Sequence, residues 1–399
     1  MPNIPLCCGI IFSEICRKVQ GNIMKQKYLT IPLVMAFIIA GRGTCAAGAD
    51  MPEVSAKAAA VISADTGQLV CGKNEGEKLP MASTTKIMTT LLTIESGDLD
   101  TPFVVDSDAI RVEGSSMGLQ EGDTVTKYAL CCGMLLPSGN DAANAAAVRI
   151  AGSIPDFAAL MNDRARDMGL SKTWFVTPSG LEGEGHGSSA YDMARLAAYA
   201  LKEPVFREIC SSETICTQFG NPPYKRYLKN TNKLLAMDEG VYGVKTGFTD
   251  EAGRCLVSAC EREGKRLICV TLNAPDDWND HLSLYEYAFP KTESIVPNLP
   301  ESISAPLAGG ESDTLELVPG EAPTITVSGD AQMRFQVKKP PFIYAPVKKG
   351  DEVGSITVYC GDMQAADIPL YAAENACFKT QVQEEKNSFV KNLFRKWFS

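Results

Sequence analysis

Apolar, strand-like runs lie at both ends of the region between residues 58 and 272, with helical segments between them. The run Ala58 to Ala64 turns through Asp65-Thr66-Gly67 into the run Gln68 to Gly72, and the runs Gly253 to Cys260 and Arg266 to Leu272 flank a polar turn. Each pair is typical of a β-hairpin. The pattern therefore predicts one sheet formed by the N- and C-terminal parts of the region and packed against helices.

The helical segments are recognised by their apolar spacing. Ile87, Met88, Leu91 and Leu92 fall on one face of a helix predicted from Ser83 to Glu95, and Gly97 is its stop signal. Alanine-rich helices are predicted at Asp141 to Ile150, Phe157 to Met168 and Tyr191 to Leu201. The fold class expected for residues 50–290 is therefore α/β.

The character of the chain changes near Pro290. Between Lys291 and Ala373 the helical periodicity disappears, and short alternating runs such as Thr324 to Val327 and Val353 to Tyr359 are separated by Pro and Gly turns. This pattern predicts a small all-β sandwich over residues 291–380.

Residues 1–49 resemble a targeting segment. Lys25 and Lys27 precede the apolar run Tyr28 to Ala40, and small residues ending in Ala47-Gly48-Ala49 follow it. This order predicts a signal peptide, with Met24 as the more natural start, and hence export of the mature chain. The alternative is a buried N-terminal helix.

The last segment, residues 381–399, has an amphipathic pattern. Phe389, Leu393 and Trp397 repeat every four residues, while Lys391 and Arg395 face away from them. We expect an interfacial helix that binds the membrane surface, aided by attraction of its basic residues to anionic lipid. A helix docked on the β domain would show the same pattern.

The net charge and the histidine and cysteine content argue against nucleic-acid-binding and zinc-binding proteins. The formal net charge of −10 argues against nonspecific nucleic-acid binding, which needs a basic face. Two histidines cannot build a His-rich zinc site, and none of the 14 cysteines forms a C-x-x-C pair. We expect no metal or organic cofactor, and inert core thiols in preference to disulfides.

Ser83-Thr84-Thr85-Lys86 is the first of three short motifs that carry chemistry. Residues three apart share one face of a helix, so Lys86 is placed to take the proton of Ser83 if burial and a cationic neighbour keep its amine neutral. A helix N-cap is the plain alternative, and Ser388-Phe389-Val390-Lys391 shows the same spacing in the tail.

The second and third motifs are Ser138-Gly139-Asn140, before an alanine-rich helix, and Lys245-Thr246-Gly247, in the strand-like stretch Val241 to Thr249. Alone, the second is explained by a turn with a helix cap, and the third by a strand end with a glycine bulge. A lysine and a hydroxyl on a strand can also hold a carboxylate, and glycine lets a substrate backbone approach.

The conjunction and order of the three motifs are those of penicillin-recognising serine enzymes. The surrounding stretches, Pro80 to Thr89, Ser138 to Ala143 and Gly243 to Thr249, resemble the low-molecular-mass D-alanyl-D-alanine carboxypeptidases among the penicillin-binding proteins. The resemblance extends over most of the chain.

The resemblance implies a penicillin-binding fold, a sheet beside a helical subdomain, in an enzyme that removes D-alanine from peptidoglycan stem pentapeptides and is inhibited by β-lactams. It makes Ser83 the nucleophile and Lys86 the general base. Ser138 and Asn140 match the proton-relay and substrate-positioning residues, and Lys245, Thr246 and Gly247 match the substrate-binding strand. The oxyanion hole would be the backbone N–H groups of Ser83 and Phe248.

One position departs from the family pattern. Many relatives have a histidine before the Gly-Leu pair, where this chain has Ser179-Gly180-Leu181, and no role is assigned there. His186 is expected to be a loop or domain-edge residue.

Three other functions stay open. A β-lactamase or a DD-endopeptidase would use the same site, although the class A β-lactamase Glu-x-x-Leu-Asn signature is missing from the chain. A non-catalytic peptidoglycan-binding envelope module, with the β domain as its working part, is the alternative from a different class.

Overall fold

The computed structural model describes residues 51–329 and 331–379, together with a two-residue strand at residues 34 and 35. The targeting segment predicted at 1–49 and the amphipathic helix predicted at 381–399 lie outside the described residues, apart from that strand. Within the described part, no helix is long and apolar enough to cross a membrane.

The first part of the chain alternates strands and helices. Its strands are β1 (Val34–Met35), β2 (Ala58–Ser63), β3 (Leu69–Lys73), β4 (Phe103–Val104), β5 (Thr124–Val125), β6 (Thr214–Gly220), β7 (Pro223–Lys229), β8 (Val241–Thr249), β9 (Gly253–Arg262) and β10 (Lys265–Leu272). Its helices are α1 (Lys86–Glu95), α2 (Lys127–Leu135), α3 (Asn140–Ala151), α4 (Ile154–Asp167), α5 (Ala190–Ala200), α6 (Pro204–Ser211), α7 (Leu234–Met237) and α8 (Asp277–Ala288), with 3₁₀ turns at Ala82–Thr85 and Phe289–Lys291.

The main sheet joins the two ends of this region, as predicted. Its order is β3-β2-β10-β9-β8, and each neighbouring pair is antiparallel. Ala60 and Ile62 pack against the helices around α1, whereas Ala59 and Val61 belong to the core beneath α8. Burial on both faces explains why β2 is a continuous apolar run. Strand β8 is the last in the order, so one edge of the sheet lies beside the helical subdomain.

Helix α1 begins three residues later than its sequence pattern indicates. Ser83 lies in the 3₁₀ turn Ala82–Thr85, and the α-helix runs from Lys86 to Glu95. The backbone N–H of Lys86 donates to the carbonyl of Ser83, an i→i+3 bond that tightens the first turn. Side chains three apart nearly eclipse in such a turn, so Lys86 lies directly over Ser83.

The second part of the chain is β-rich, as predicted. Its strands are β11 (Thr292–Ile295), β12 (Ile303–Ala308), β13 (Thr314–Pro319), β14 (Ile325–Ser328), β15 (Met333–Lys338), β16 (Ile343–Tyr344), β17 (Glu352–Cys360) and β18 (Met363–Ala372). The larger sheet has the order β1-β15-β17-β18-β13-β12-β16, and β11 pairs with β14. Val327 on β14 packs against Val358 and Ile368 of the larger sheet, which gives this domain its two layers.

Polar bonds and one buried side chain connect the two domains at what we call the domain joint, formed by Ser63, Asp65, Arg266, Thr326 and Met363. Ser63 Oγ donates to the carbonyl of Thr326 at 2.6 Å, and the N–H of Thr326 donates to Asp65 Oδ2 at 2.8 Å. Asp65 also pairs with Arg266 at 2.6 Å. Met363 is 1% exposed and belongs to the core of the α/β domain, although it starts β18.

Candidate active site

Ser83 and Lys86 are in direct contact. Lys86 Nζ lies 2.7 Å from Ser83 Oγ, and the Lys86 side chain is 0% exposed while Ser83 is partly open to solvent. The 3₁₀ turn places the hydroxyl at the surface of the site and the amine beneath it. The spacing predicted this pairing, and the structure has it.

Two further acceptors surround the Lys86 amine. Its Nζ lies 2.7 Å from Asn140 Oδ1 and 2.7 Å from the carbonyl oxygen of Ser179. Neither oxygen can donate, so the amine must donate an N–H to each. A neutral amine has two N–H groups and one lone pair, and this arrangement leaves the lone pair for the hydroxyl of Ser83.

The surroundings of Lys86 favour the neutral amine. Burial and then the charge of Lys245 hold the pKa of Lys86 well below its usual value, and the negative charge of Asp141 opposes them. An amine whose pKa is lowered in this way, with its lone pair directed at a hydroxyl, can act as a general base.

The second motif lies at the start of α3 and forms the wall of the site that the helical subdomain contributes. Asn140 is the first residue of α3, and its Nδ2 donates to the carbonyl of Glu113 at 2.7 Å, which directs Oδ1 towards Lys86. Ser138, just before the helix, has φ of 66°, and its Oγ accepts a hydrogen bond from Lys245 Nζ at 3.0 Å. Ser138 therefore joins the second motif to the third.

The third motif lies on the edge strand β8. Lys245 is 1% exposed, its Nζ also donates to the carbonyl of Thr246 at 2.7 Å, and burial lowers its pKa to about 7. Thr246 Oγ1 is 2.8 Å from Thr231 Oγ1, which holds the hydroxyl at the open side of the strand. A substrate carboxylate placed here would meet a cation and a hydroxyl.

Gly247 shows how tightly β8 packs against the first motif. A Cβ at this position would lie 3.1 Å from the backbone nitrogens of both Ser83 and Thr84. Glycine therefore keeps free the space above these N–H groups. The neighbouring Phe248, whose N–H is the other predicted oxyanion donor, has a side chain that is 63% exposed at the rim.

A loop from Val176 to His186 forms the remaining wall, and sequence reasoning assigned it no function. His186 Nδ1 accepts the N–H of Val176 at 3.0 Å, so Nε2 carries the hydrogen and donates to Thr85 Oγ1 at 2.9 Å. Burial lowers the pKa of His186 to about 4, which keeps the ring neutral. His186 is thus a loop residue, as predicted, but one that supports the first motif.

The seven residues predicted for the site by their side chains or by glycine come together in one place. They are Ser83, Lys86, Ser138, Asn140, Lys245, Thr246 and Gly247. The sequence did not identify the Ser179 carbonyl, Thr231 or His186. A backbone carbonyl has no residue-type signal, but the adjacent Gly180 has φ of 88° and lies against the first motif, so a glycine at this point was the available clue.

Comparison with known proteins is consistent over both domains. The family model described as D-alanyl-D-alanine carboxypeptidase matches residues 45–276, and the model described as penicillin-binding protein 5, C-terminal domain, matches residues 301–376. The D-alanyl-D-alanine carboxypeptidase DacF of Bacillus subtilis is 34% identical over 336 residues, which are 80% of this chain and 85% of that protein. DacC of Escherichia coli, another D-alanyl-D-alanine carboxypeptidase, is 31% identical over 372 residues, 88% of this chain and 91% of the relative.

A solved structure extends the likeness to the fold. Penicillin-binding protein 5 from Haemophilus influenzae superposes with a TM-score of 0.59 at 25% identity, and the match covers 83% of this chain and 100% of that one. The family model alone spans more than half of the 399 residues. The chain therefore belongs to the D-alanyl-D-alanine carboxypeptidase family, the low-molecular-mass penicillin-binding proteins.

Proposed function

We propose that this chain is a penicillin-sensitive serine carboxypeptidase that removes the terminal D-alanine from peptidoglycan stem pentapeptides. The observation that carries the proposal is the contact of a buried lysine with Ser83, 2.7 Å away, beside a second buried lysine at position 245. The first amine serves as a base, and the second serves as the charge that selects a terminal carboxylate.

Acylation begins at Ser83. Its Oγ attacks the carbonyl carbon between the last two D-alanines, and its proton passes to Lys86 Nζ. The negative charge that develops on the carbonyl oxygen is held by the backbone N–H groups of Ser83 and Phe248. Asn140 keeps the Lys86 amine in place through its Oδ1.

Departure of D-alanine needs a proton on its nitrogen. The terminal carboxylate is bound by Lys245 and Thr246, which places the leaving nitrogen near Ser138, and this hydroxyl relays to it the proton that Lys86 took from Ser83. Free D-alanine leaves, and Lys86 is neutral again. Water, deprotonated by Lys86, then attacks the Ser83 ester, and the proton passes from Lys86 to Ser83 Oγ as the ester bond breaks and the shortened peptide is released. Since β8 is an edge strand, the substrate backbone adds to it as a further strand.

The test is covalent labelling by a β-lactam, read by intact-protein mass spectrometry. We expect the mass of the protein to increase by that of one β-lactam, and Ser83→Ala to show no increase. Ser388→Ala is the matched control, because Ser388 has the same S-x-x-K spacing in the tail and should label normally. Labelling of Ser83→Ala at the same rate would show that the nucleophile is elsewhere.

Substrate assays separate the remaining alternatives. A carboxypeptidase releases D-alanine from a pentapeptide, an endopeptidase cleaves a cross-linked peptide dimer, and a β-lactamase turns over the antibiotic rapidly instead of remaining acylated. A peptidoglycan-binding module would release no D-alanine and would retain muropeptides equally well after Ser83→Ala.

We also propose that the enzyme is exported and held at the membrane surface by residues 381–399, with the α/β domain at 50–290 and the β-rich domain at 291–380. One surface of the β-rich domain supports this. The exposed aromatic side chains there are Phe342, Tyr344 and Phe378. Residues 338–349 carry four lysines and no acidic residue, although the whole chain has a net charge of −10. Ala376 is bridged to Val347 and Phe378 to Gly310, so the residues that precede the tail lie at this surface.

Vesicle binding tests the membrane proposal. We expect the full chain to sediment with vesicles that contain anionic lipid and to bind neutral vesicles less well. A chain that ends at Thr380 keeps both bridges but should bind much less. Equal binding of the shortened chain would show that the tail is not the anchor.

A further inference from the structure

Asp141 is a buried carboxylate beside the active site for which the mechanism above has no use. It follows Asn140 in the first turn of α3 and is 2% exposed. Its two oxygens accept five hydrogen bonds. The donors are Ser116 Oγ at 2.6 Å and the backbone N–H groups of Met117 at 2.9 Å, Gly118 at 3.1 Å, Leu119 at 3.0 Å and Ala142 at 2.9 Å.

Four of those donors belong to one loop, residues 113–119, which also holds Asn140. The carbonyl of Glu113 accepts from Asn140 Nδ2 at 2.7 Å, and the carbonyl of Ser115 accepts from the Asn140 backbone N–H at 2.7 Å. A side-chain amide is planar, so a fixed Nδ2 also fixes Oδ1. That oxygen is 2.7 Å from Lys86 Nζ.

The packing around these groups leaves little room for another arrangement. A Cβ at Gly139 would lie 2.6 Å from Asp141 Oδ1 and 2.8 Å from the backbone nitrogen of Met117, and a Cβ at Gly114 would lie 2.7 Å from Asn140 Nδ2. The loop is therefore in close contact with the first turn of α3 and with the Asn140 amide, and it restricts the positions of both.

We infer that Asp141 is a positioning residue for the carboxypeptidase reaction: it holds the 113–119 loop, the loop orients the Asn140 amide, and the amide orients the Lys86 amine towards Ser83. This inference rests on the proposed roles of Ser83 and Lys86. Asp141 touches neither the substrate nor the reacting atoms, so its effect reaches the chemistry only through Asn140 and through its charge.

The charge of Asp141 gives the inference a second signature. It raises the pKa of Lys86, against the larger effects of burial and Lys245. Replacing the carboxylate by an amide removes this contribution, so the pKa of Lys86 falls further. At low pH Lys86 is protonated and inactive, which gives the acylation rate an acid limb. This limb then moves to lower pH. A purely structural role would lower the amount of folded enzyme without moving this limb.

The experiment compares Asp141→Asn with the unmodified chain by the rate and pH dependence of β-lactam acylation at Ser83, measured on the labelled fraction by mass spectrometry. We expect acylation to slow by roughly 10- to 100-fold, as for a misplaced reacting group, and its acid limb to move to lower pH. Ser116→Ala removes one donor and keeps the charge, so it should slow acylation less and leave the limb in place.

Asp280→Asn is the matched control. Asp280 is also a buried first-turn aspartate, 6% exposed, and it accepts bonds from Ser55 Oγ at 2.7 Å and from the N–H groups of Ser55 and Ala56. It lies behind the sheet on α8, so Asp280→Asn should cost stability and leave the acylation rate of the folded enzyme unchanged.

The outcomes are separable. If the unmodified chain is not acylated at Ser83, the proposed function fails. If it is acylated and Asp141→Asn reacts at the same rate with the same acid limb, the inference about Asp141 fails alone. Should Asp141→Asn not fold, an unchanged acylation rate in Ser116→Ala overturns the inference.

Discussion

Two buried lysines share the active site, and burial lowers the pKa of both. Lys86 faces two carbonyl-type oxygens that both require a donor, and its pKa is lowered by burial and by the charge of Lys245. Burial also lowers the pKa of Lys245, to about 7. The two positions suit different roles, because Lys86 contacts Ser83 whereas Lys245 lies on the edge strand β8 beside Ser138 and Thr246.

This difference predicts a bell-shaped pH dependence of kcat/KM for D-alanine release. The rate rises as Lys86 loses its proton, and it falls as Lys245 becomes neutral in the free enzyme, with a midpoint at about 7. Lys245→Arg should be slower but should lack the alkaline limb, because a guanidinium stays charged throughout the accessible range. Steady-state rates at a series of pH values provide the measurement, and an identical alkaline limb in Lys245→Arg would contradict the assignment.

At the residue scale, spacing predicts the contact of Ser83 with Lys86 because three residues close one turn. It does not predict the contacts of Lys86 that come from distant segments. The Ser179 carbonyl is 93 positions away and belongs to the backbone, so no residue type marks it. The departure from the family pattern at Ser179 therefore leaves this contact intact.

Among the elements, the loop from Val176 to His186 depends on one glycine. Gly180 has φ of 88°, and a Cβ there would overlap the carbonyl oxygen of Ala82. Gly180→Ala should therefore move the loop, break the bond of Lys86 to the Ser179 carbonyl, and slow acylation by on the order of 100-fold. The backbone strain should also lower stability by about 1–3 kcal/mol.

A second glycine serves as a control that separates the loss of acylation rate from the loss of stability. Gly152 at the end of α3 has φ of 83° but no atom within 4 Å of an added Cβ. Gly152→Ala should thus show the stability loss in urea unfolding without the loss of acylation rate. Equal acylation rates in both alanine variants would mean that the loop does not position Lys86.

Elements with a clear period were predictable, and those without one were missed. The strand at 241–249 and the helices at 140–151 and 190–200 agree with the sequence pattern to within one residue at each end. Helix α2 was missed because it is buried on nearly all sides, so its apolar residues show no stripe. The hairpin of β6 and β7 was missed because its exposed residues alternate poorly with apolar ones.

For the whole molecule, the two domains share part of a core. Met363 comes from the β-rich domain but fills space in the α/β domain against Gly67. Met363→Ala should therefore destabilise the α/β domain by about 2–5 kcal/mol, as for other buried large-to-small changes. Met237→Ala, at a side chain that is 48% exposed, should change stability by about 0.5 kcal/mol or less.

Thermal unfolding, followed by acylation competence and by far-UV circular dichroism, measures both variants. We expect the two signals to be lost together and at a lower temperature in Met363→Ala. If acylation competence survived to the unmodified temperature, the core contact would not support the catalytic domain.

The division into two domains was predictable from the loss of helical periodicity near Pro290, but the domain joint was not. Ser63 and Thr326 are 263 positions apart, and serine and threonine occur at many surface positions. No local pattern distinguishes residues that meet across such a separation.

The domain joint also determines whether the two domains can move relative to each other. Bonds at Ser63, Asp65 and Thr326, together with the insertion of Met363, oppose a hinge between the domains. The distance from the active site to the far end of the β-rich domain therefore stays constant when the enzyme moves.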